Sequence, residues 1–191
     1  MIRALLTALV LACPSVAAAD SGLYPEAAPE DAAFVRFVGL DVPSVDFDGH
    51  RFTLDPEASD AYIPVSAARL DAVAPGSFLT VTSGPDGPRA IAEGPRPDRS
   101  KIYLFVINAS DTPVSLQVAE GEVPVITDIA GGQAGSRAVN PVQITFAVVS
   151  DADAAPLGTF DVTLKRGQNL SFFVGPDGAR VIPHRFGPVS R

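Results

Sequence analysis

The chain has 191 residues, of which 47% are hydrophobic and 19% are charged, and its formal net charge is −8. This apolar content suffices for a folded core, and the negative charge excludes nucleic-acid binding driven by overall charge. A single cysteine excludes an internal disulfide and a cysteine-based zinc site. Two histidines argue against a histidine-rich metal centre, so the sequence predicts no metal and no cofactor.

The first residues have the pattern of a secretory signal peptide. Residues 4–12 are uncharged and mostly apolar, and small residues up to Ala19 precede Asp20. Such a run is too short to span a bilayer, whose core needs about 20 apolar residues. We predict that residues 1–19 are removed on export and that the mature chain leaves the cytoplasm. A lipid anchor at Cys13 is the weaker alternative.

The mature chain predicts short strands separated by Gly and Pro turns. Residues 33–38, apart from Arg36, and residues 102–107 are apolar on both faces, which predicts central or doubly covered strands. Three later segments alternate with the period of two that is typical of half-buried strands. We expect their inward faces to include Val142, Ile144, Phe146, Val148, Phe160, Val162 and Leu164. Residues 67–74 are the short candidate for a helix.

An internal repeat relates the two halves. Residues 84–91 (GPDGPRAI) and 175–182 (GPDGARVI) each follow an apolar strand and precede a Gly-Pro pair, so each predicts a hairpin. Aligning Phe37 with Phe105 gives an offset of 68, against 91 for the hairpins, which predicts about 23 extra residues within the second copy. A chance match between two common hairpins is the alternative.

The segment between the copies predicts a linker. Residues 93–100 (EGPRPDRS) are polar and contain two prolines. We therefore predict an all-β fold of two tandem small antiparallel β-sandwich domains, at residues 20–93 and 101–191, joined by a linker at 94–100.

The search for a catalytic site gives no strong candidate. His50 follows Asp48 and Gly49 in a predicted tight turn, where it could act as a hydrolase base but more simply lies at the surface. His184 is expected at a strand end. No nucleophile elbow and no phosphate-binding loop is present, and no nucleophile is expected to have a base beside it. We predict no catalytic residue.

Charge is polarised along the chain. Residues 20–60 hold ten acids and two bases, whereas residues 165–191 hold five bases and one acid. Two ordinary solvated surfaces would explain this, but the basic end could also contact an anionic partner or polymer. The candidate binding residues are Arg137, Lys165, Arg166, Arg180, His184 and Arg185.

Several segments, taken together, resemble the periplasmic AlgF family of alginate O-acetylation proteins. Their order and spacing along the mature chain carry the resemblance, since no single motif is specific. The segments are residues 23–29 (LYPEAAP), 33–36 (AFVR), 93–95 (EGP), 108–110 (NAS), 135–142 (GSRAVNPV), 162–167 (VTLKRG) and 188–190 (PVS).

The resemblance implies a periplasmic, non-catalytic accessory protein with two β-sandwich domains. It implies work with a membrane-bound O-acyltransferase and periplasmic acetyltransferases that acetylate an exopolysaccharide such as alginate. Two alternatives stay open. A carbohydrate-binding module would hold the polymer, although the chain has no Trp and only three Tyr. A transferase that carries the acetyl group itself would need His50 or His184 as its base.

Overall fold

The computed structural model describes residues 26–84, 87–98 and 100–190. These residues form fourteen β-strands and two short 3-10 helices, so the all-β prediction is confirmed. The predicted signal peptide and Cys13 lie outside the described residues.

The first half forms one sheet covered by a hairpin. Strands β4, β1, β5 and β6 are neighbours in that order, with β1 and β5 parallel and the other pairs antiparallel. The β2–β3 hairpin covers one face, and its Val45 and Phe52 pack on Val35 and Val81. The strands are β1 (Ala32–Phe37), β2 (Ser44–Phe47), β3 (His50–Thr53), β4 (Ile63–Ser66), β5 (Phe78–Gly84) and β6 (Gly87–Ala92).

Short 3-10 helices replace the predicted helix in the first half. They lie at Pro56–Ala58 and Ala67–Arg69. The candidate helix at residues 67–74 is therefore limited to its first turn. Leu70 and Val73 follow the 3-10 helix and both pack on the first core. The chain therefore takes an irregular path after Arg69 instead of continuing as a helix.

The second half is a sandwich of two four-stranded sheets, ordered β10-β7-β13-β14 and β12-β11-β8-β9. Ile102, Leu104, Leu116, Phe146 and Phe172 are among the residues that fill the core between them. The strands are β7 (Ile102–Asn108), β8 (Val114–Val118), β9 (Val123–Ile129), β10 (Ala134–Val139), β11 (Gln143–Ser150), β12 (Pro156–Thr163), β13 (Leu170–Gly175) and β14 (Gly178–Pro183).

Most of the expected inward residues of β11 and β12 do pack on this core, but Val142 does not. It precedes β11 and is 44% exposed. Its carbonyl accepts a hydrogen bond from the Leu164 amide at 2.8 Å. The inward face therefore begins at Ile144, and the expectation for Val142 was wrong because the residue lies beyond the end of the strand.

The predicted repeat is confirmed by the topology. The sheets β4-β1-β5-β6 and β10-β7-β13-β14 share both strand order and strand directions. The β2–β3 and β8–β9 hairpins follow the first strand of each copy. The β11–β12 hairpin has no described counterpart in the first half, and it supplies the extra residues of the second copy.

The start of the repeat alignment needs a correction of one residue. Thr80 and Ser171 are related by the offset of the hairpins, and their parallel partners are Arg36 and Phe105. Arg36, and not Phe37, therefore matches Phe105. A slip of one residue moves a side chain to the other face of a strand. Phe37 indeed packs on the first core, whereas Phe105 faces the other half of the molecule.

The two matching sheets pack against each other through equivalent faces. This contact buries the second face of β7, all of whose residues are buried, as the two-sided apolar pattern predicted. The apolar residues of the contact are Val38, Ile91, Tyr103, Phe105, Ile107, Phe173 and Ile182.

The segment predicted as a linker is anchored in this contact. The side chain of Glu93 is fully buried and that of Arg96 is 10% exposed. The domain boundaries remain a prediction, but the connection between the halves is held by buried polar groups.

The end of the chain returns to the first half. The Tyr62 amide donates to the Arg185 carbonyl at 2.8 Å, and the Gly187 amide donates to the Tyr62 carbonyl at 2.8 Å. The Ser190 amide donates to the Pro64 carbonyl at 2.8 Å. The tail thus runs along the outer side of β4 and ties the second half to the first.

Candidate functional site

A cluster of buried polar side chains lies between the two matching sheets. We call it the polar cluster. Such groups are costly to bury unless their hydrogen bonds are satisfied by one another. Its members are Arg36, Tyr62, Thr80, Glu93, Arg96, Ser171 and His184.

Arg36 of β1 connects the halves within the cluster. Its Nε donates to Thr80 Oγ1 at 2.8 Å and its Nη2 donates to Ser171 Oγ at 2.6 Å. The same Nη2 lies 3.3 Å from Glu93 Oε1, and the guanidinium sits 4.6 Å from the centre of the Tyr62 ring. The charge is fully buried and is compensated by the Glu93 carboxylate, while Nη1 has no hydrogen-bond partner among the described residues.

The Glu93 carboxylate accepts several hydrogen bonds on the side of the cluster that faces the first half. Its carboxylate accepts bonds from the hydroxyls of Tyr62 and Thr80, each at 2.7 Å, and from Arg96 Nη2 at 2.6 Å. Burial, followed by the nearby Glu93 charge, raises the pKa of the Tyr62 hydroxyl. Arg96 also stacks 3.7 Å above the Phe78 ring. This carboxylate therefore fixes the linker to the first sheet.

A serine and a histidine form a hydrogen-bonded pair in the cluster. Ser171 Oγ lies 2.7 Å from His184 Nε2. Burial, with the charges of Arg36 and Arg96, lowers the pKa of His184 to about 2, so the ring is neutral. A serine hydroxyl hydrogen-bonded to a neutral imidazole is the pairing that an activated nucleophile requires. The expectation of no nucleophile beside a base was therefore wrong.

The sequence did hold a signal for this pair. The hairpin was predicted, and its observed register sets Ser171 opposite Ile182, so His184 is the diagonal neighbour on the same face. The pair is nevertheless inaccessible. Ser171 is fully buried, and its Oγ also accepts the bond from Arg36. An acyl donor cannot reach this oxygen while the two sheets are packed together.

A second serine–histidine pair lies near the chain end. His50 Nε2 is 2.9 Å from Ser190 Oγ, and partial burial and the Arg69 charge lower the pKa of His50. The carboxylate of Asp48, which precedes His50 by two residues, accepts instead from the Ala72 amide at 3.0 Å. Among the described side chains, no carboxylate bonds to the His50 ring. This pair therefore lacks the third group that orients a catalytic histidine.

Ser190 lines an open groove of about 860 Å³. The groove runs between the first half and the returning tail. Its lining combines apolar and charged side chains, including Leu40, Val42, Leu54, Asp60, Arg180 and Ser190.

The predicted binding residues fall into two groups. Arg180 pairs with Asp60 at 2.6 Å and Arg185 donates to the Ser59 carbonyl at 3.1 Å, while His184 belongs to the polar cluster. These three contact the first half. Lys165 and Arg166 are exposed in the turn after β12.

Arg137 is exposed on β10, where its Nη1 donates to the Val125 carbonyl at 3.0 Å. A binding role for any of these six residues stays a prediction.

Metal ligands and membrane-spanning helices were the two remaining features to place in the described part of the chain. In residues 26–84, 87–98 and 100–190, no group of three or more His, Cys, Asp or Glu is placed to hold a metal ion. No helix in the same ranges is long and apolar enough to cross a membrane.

The chain is similar in sequence to known proteins over most of its length. Residues 7–171 match the family model described as "Alginate O-acetyl transferase AlgF". The alginate biosynthesis protein AlgF of Pseudomonas aeruginosa is 30% identical, covering 87% of this chain and 84% of that protein. The AlgF proteins of Pseudomonas syringae and Azotobacter vinelandii are each 26% identical, covering 87% and 83% of this chain. The solved C-terminal domain of P. aeruginosa AlgF covers 44% of this chain at 24% identity, with a TM-score of 0.38.

Proposed function

Because the chain belongs to the AlgF family, which is involved in alginate O-acetylation, we propose that it is a non-catalytic periplasmic adaptor in the acetylation of an exopolysaccharide. In this role it binds periplasmic acetyltransferases and links them to a membrane-bound O-acyltransferase. It contributes contact surfaces rather than chemistry.

The state of the Ser171–His184 pair supports this proposal. It has the hydrogen bond of an activated nucleophile, yet it is sealed between the sheets and shares its oxygen with Arg36. In this setting the pair stabilises the contact between the halves. A rigid contact suits an adaptor, because it keeps surfaces on the two halves in a fixed relation.

The described tyrosines argue against a carbohydrate-binding module. Sugar platforms need an open aromatic face, but Tyr62 is fully buried and Tyr103 is 7% exposed. Phe186 is 61% exposed, but it packs its ring against Phe34 and Tyr62 at the tail contact. The remaining alternative is a transferase that uses Ser190 and His50 beside the groove.

A binding experiment with purified proteins tests the adaptor proposal. The mature chain is immobilised and exposed to purified periplasmic acetyltransferases of alginate biosynthesis, with an exported β-sandwich protein of similar charge as the control. We expect saturable binding to an acetyltransferase and none to the control. Acetyl transfer to polymer by the purified chain alone would establish the transferase instead.

A further inference from the structure

We propose that the outer edge of β2 binds an extended segment of the acetyltransferase partner, which adds to it as an antiparallel strand. This inference rests on the proposed adaptor function and names the surface that performs it. Exposed strand edges are templates for such strand addition, because their unpaired backbone groups bind a second strand directly.

The hairpin register shows which backbone groups of β2 point outward. Phe47 pairs with His50 across a two-residue turn, and the Leu54 amide bonds to the Pro43 carbonyl at 2.9 Å. In an antiparallel ladder, hydrogen-bonded and non-bonded pairs alternate. Ser44 and Asp46 lie at the non-bonded positions of this alternation. Their backbone N–H and C=O groups therefore point away from β3, to the outer edge of β2.

These outward groups have no partner in the described chain. Neither the Ser44 nor the Asp46 backbone bonds to another described residue, and β2 pairs only with β3 among the described strands. Both residues are exposed, as is the preceding segment from Asp41. The edge is thus open to a strand from another molecule.

The second half shows what such an edge binds. Strand β8 holds the position equivalent to β2, and its outer edge pairs antiparallel with β11, from Phe146 opposite Val118 to Ser150 opposite Val114. The described residues of the first half contain no counterpart of the β11–β12 hairpin. Leu70 and Val73 fill the core there but leave the β2 edge unpaired. The position that β11 occupies in one copy is therefore vacant in the other.

The surroundings of the edge define the chemistry of the partner segment. Asp41 is exposed beside it, whereas the charges of Asp46 and Arg51 compensate each other in an ion pair at 2.6 Å. Phe47 is only partly buried at the inward side. These surroundings favour an extended segment with apolar residues at alternate positions and a Lys or Arg where it passes Asp41.

Ser44→Pro tests this inference, with Thr53→Pro as the matched control. Each proline removes one outward amide and leaves the β2–β3 hydrogen bonds in place. The two residues face each other across the hairpin, so they report on opposite edges. Proline is tolerated at strand edges where the amide faces solvent. Circular dichroism confirms that both variants are folded.

Binding to the purified acetyltransferase is measured for wild type and both variants. We expect Ser44→Pro to weaken binding about tenfold or more, since it removes a hydrogen bond and blocks the approach of a strand, and Thr53→Pro to bind like wild type. Equal binding by wild type and Ser44→Pro overturns the β2 inference alone. Loss only with Thr53→Pro moves the site to the β3 edge. No binding by wild type overturns the adaptor proposal itself.

A second test measures hydrogen exchange on the wild type, so its result does not depend on whether the proline variants fold. Because they have no backbone partner, we expect the Ser44 and Asp46 amides to exchange quickly in the free chain and at least about tenfold more slowly when the acetyltransferase is bound. Unchanged exchange at both amides in a saturated complex contradicts strand addition.

Discussion

Thr80 and Ser171 occupy equivalent positions in the two copies of the repeated sheet, and both accept a hydrogen bond from Arg36. The distances are 2.8 Å and 2.6 Å. The next members follow the same rule, because Glu93 and His184 lie two residues beyond the equivalent Ile91 and Ile182. The halves therefore meet like two subunits of a pseudo-symmetric dimer, with diverged charges: Arg36 and Glu93 on one side, Phe105 and His184 on the other.

Arg36→Met tests the energetic role of the polar cluster. Removing the cation leaves the buried Glu93 with fewer donors, and breaking a buried ion pair costs about 3–5 kcal/mol. We expect the free energy of unfolding in urea to fall by about 3 kcal/mol. Arg51→Met is the control, because its pair with Asp46 is 71% and 66% exposed, and solvent-exposed ion pairs contribute little to stability. Similar losses in both variants would contradict the assignment.

His184 makes stability depend on pH. Its folded pKa of about 2 lies below the ordinary value of 6.5, so only the unfolded chain takes up the proton between these values. The free energy of unfolding therefore falls as the pH drops below about 6.5. Between pH 7.5 and 5, this residue contributes about 2 kcal/mol of that fall.

His184→Gln removes this proton uptake. The fall in the free energy of unfolding between pH 7.5 and 5 should then be smaller by about 2 kcal/mol than in wild type, measured by urea denaturation at both pH values. Aspartates and glutamates titrate alike in both proteins and cancel in the comparison. An unchanged pH dependence would show that the ring is protonated in the folded state.

Ser171→Ala and Ser190→Ala separate the adaptor from the transferase. Each removes the hydroxyl of one serine–histidine pair. We expect polymer acetylation in cells to stay within about twofold of wild type at equal protein levels. A nucleophile that carried the acetyl group would lose orders of magnitude of activity on removal. Acetyl content of the isolated polymer, with immunoblots for protein level, decides between them.

Local patterns in the sequence predicted the strands, the hairpins and the repeat, because alternation and turn residues act over a few positions. The contact between the halves was beyond that reach. Arg36 and Ser171 are 135 residues apart, and nothing near either one indicates the other. The burial of the predicted linker was missed for the same reason. Its polar composition suggested exposure, but Glu93 and Arg96 are buried against the first sheet. An alignment error of one residue hid the equivalence of Arg36 and Phe105.

The basic residues of the second half are predicted to have two different roles. Lys165 and Arg166 are exposed, so reversing both to Glu should weaken binding to an acidic partner at low salt and leave the fold intact. Reversing Arg180 and Arg185 should instead weaken the contact with the first half, because Arg180 pairs with Asp60. Titration calorimetry at low and high salt measures the first effect, and urea denaturation measures the second. The exposed turn is excluded as a docking site if the Lys165→Glu, Arg166→Glu protein binds like wild type at both salt concentrations, since contacts between exposed charges are screened within about 8–10 Å at physiological salt.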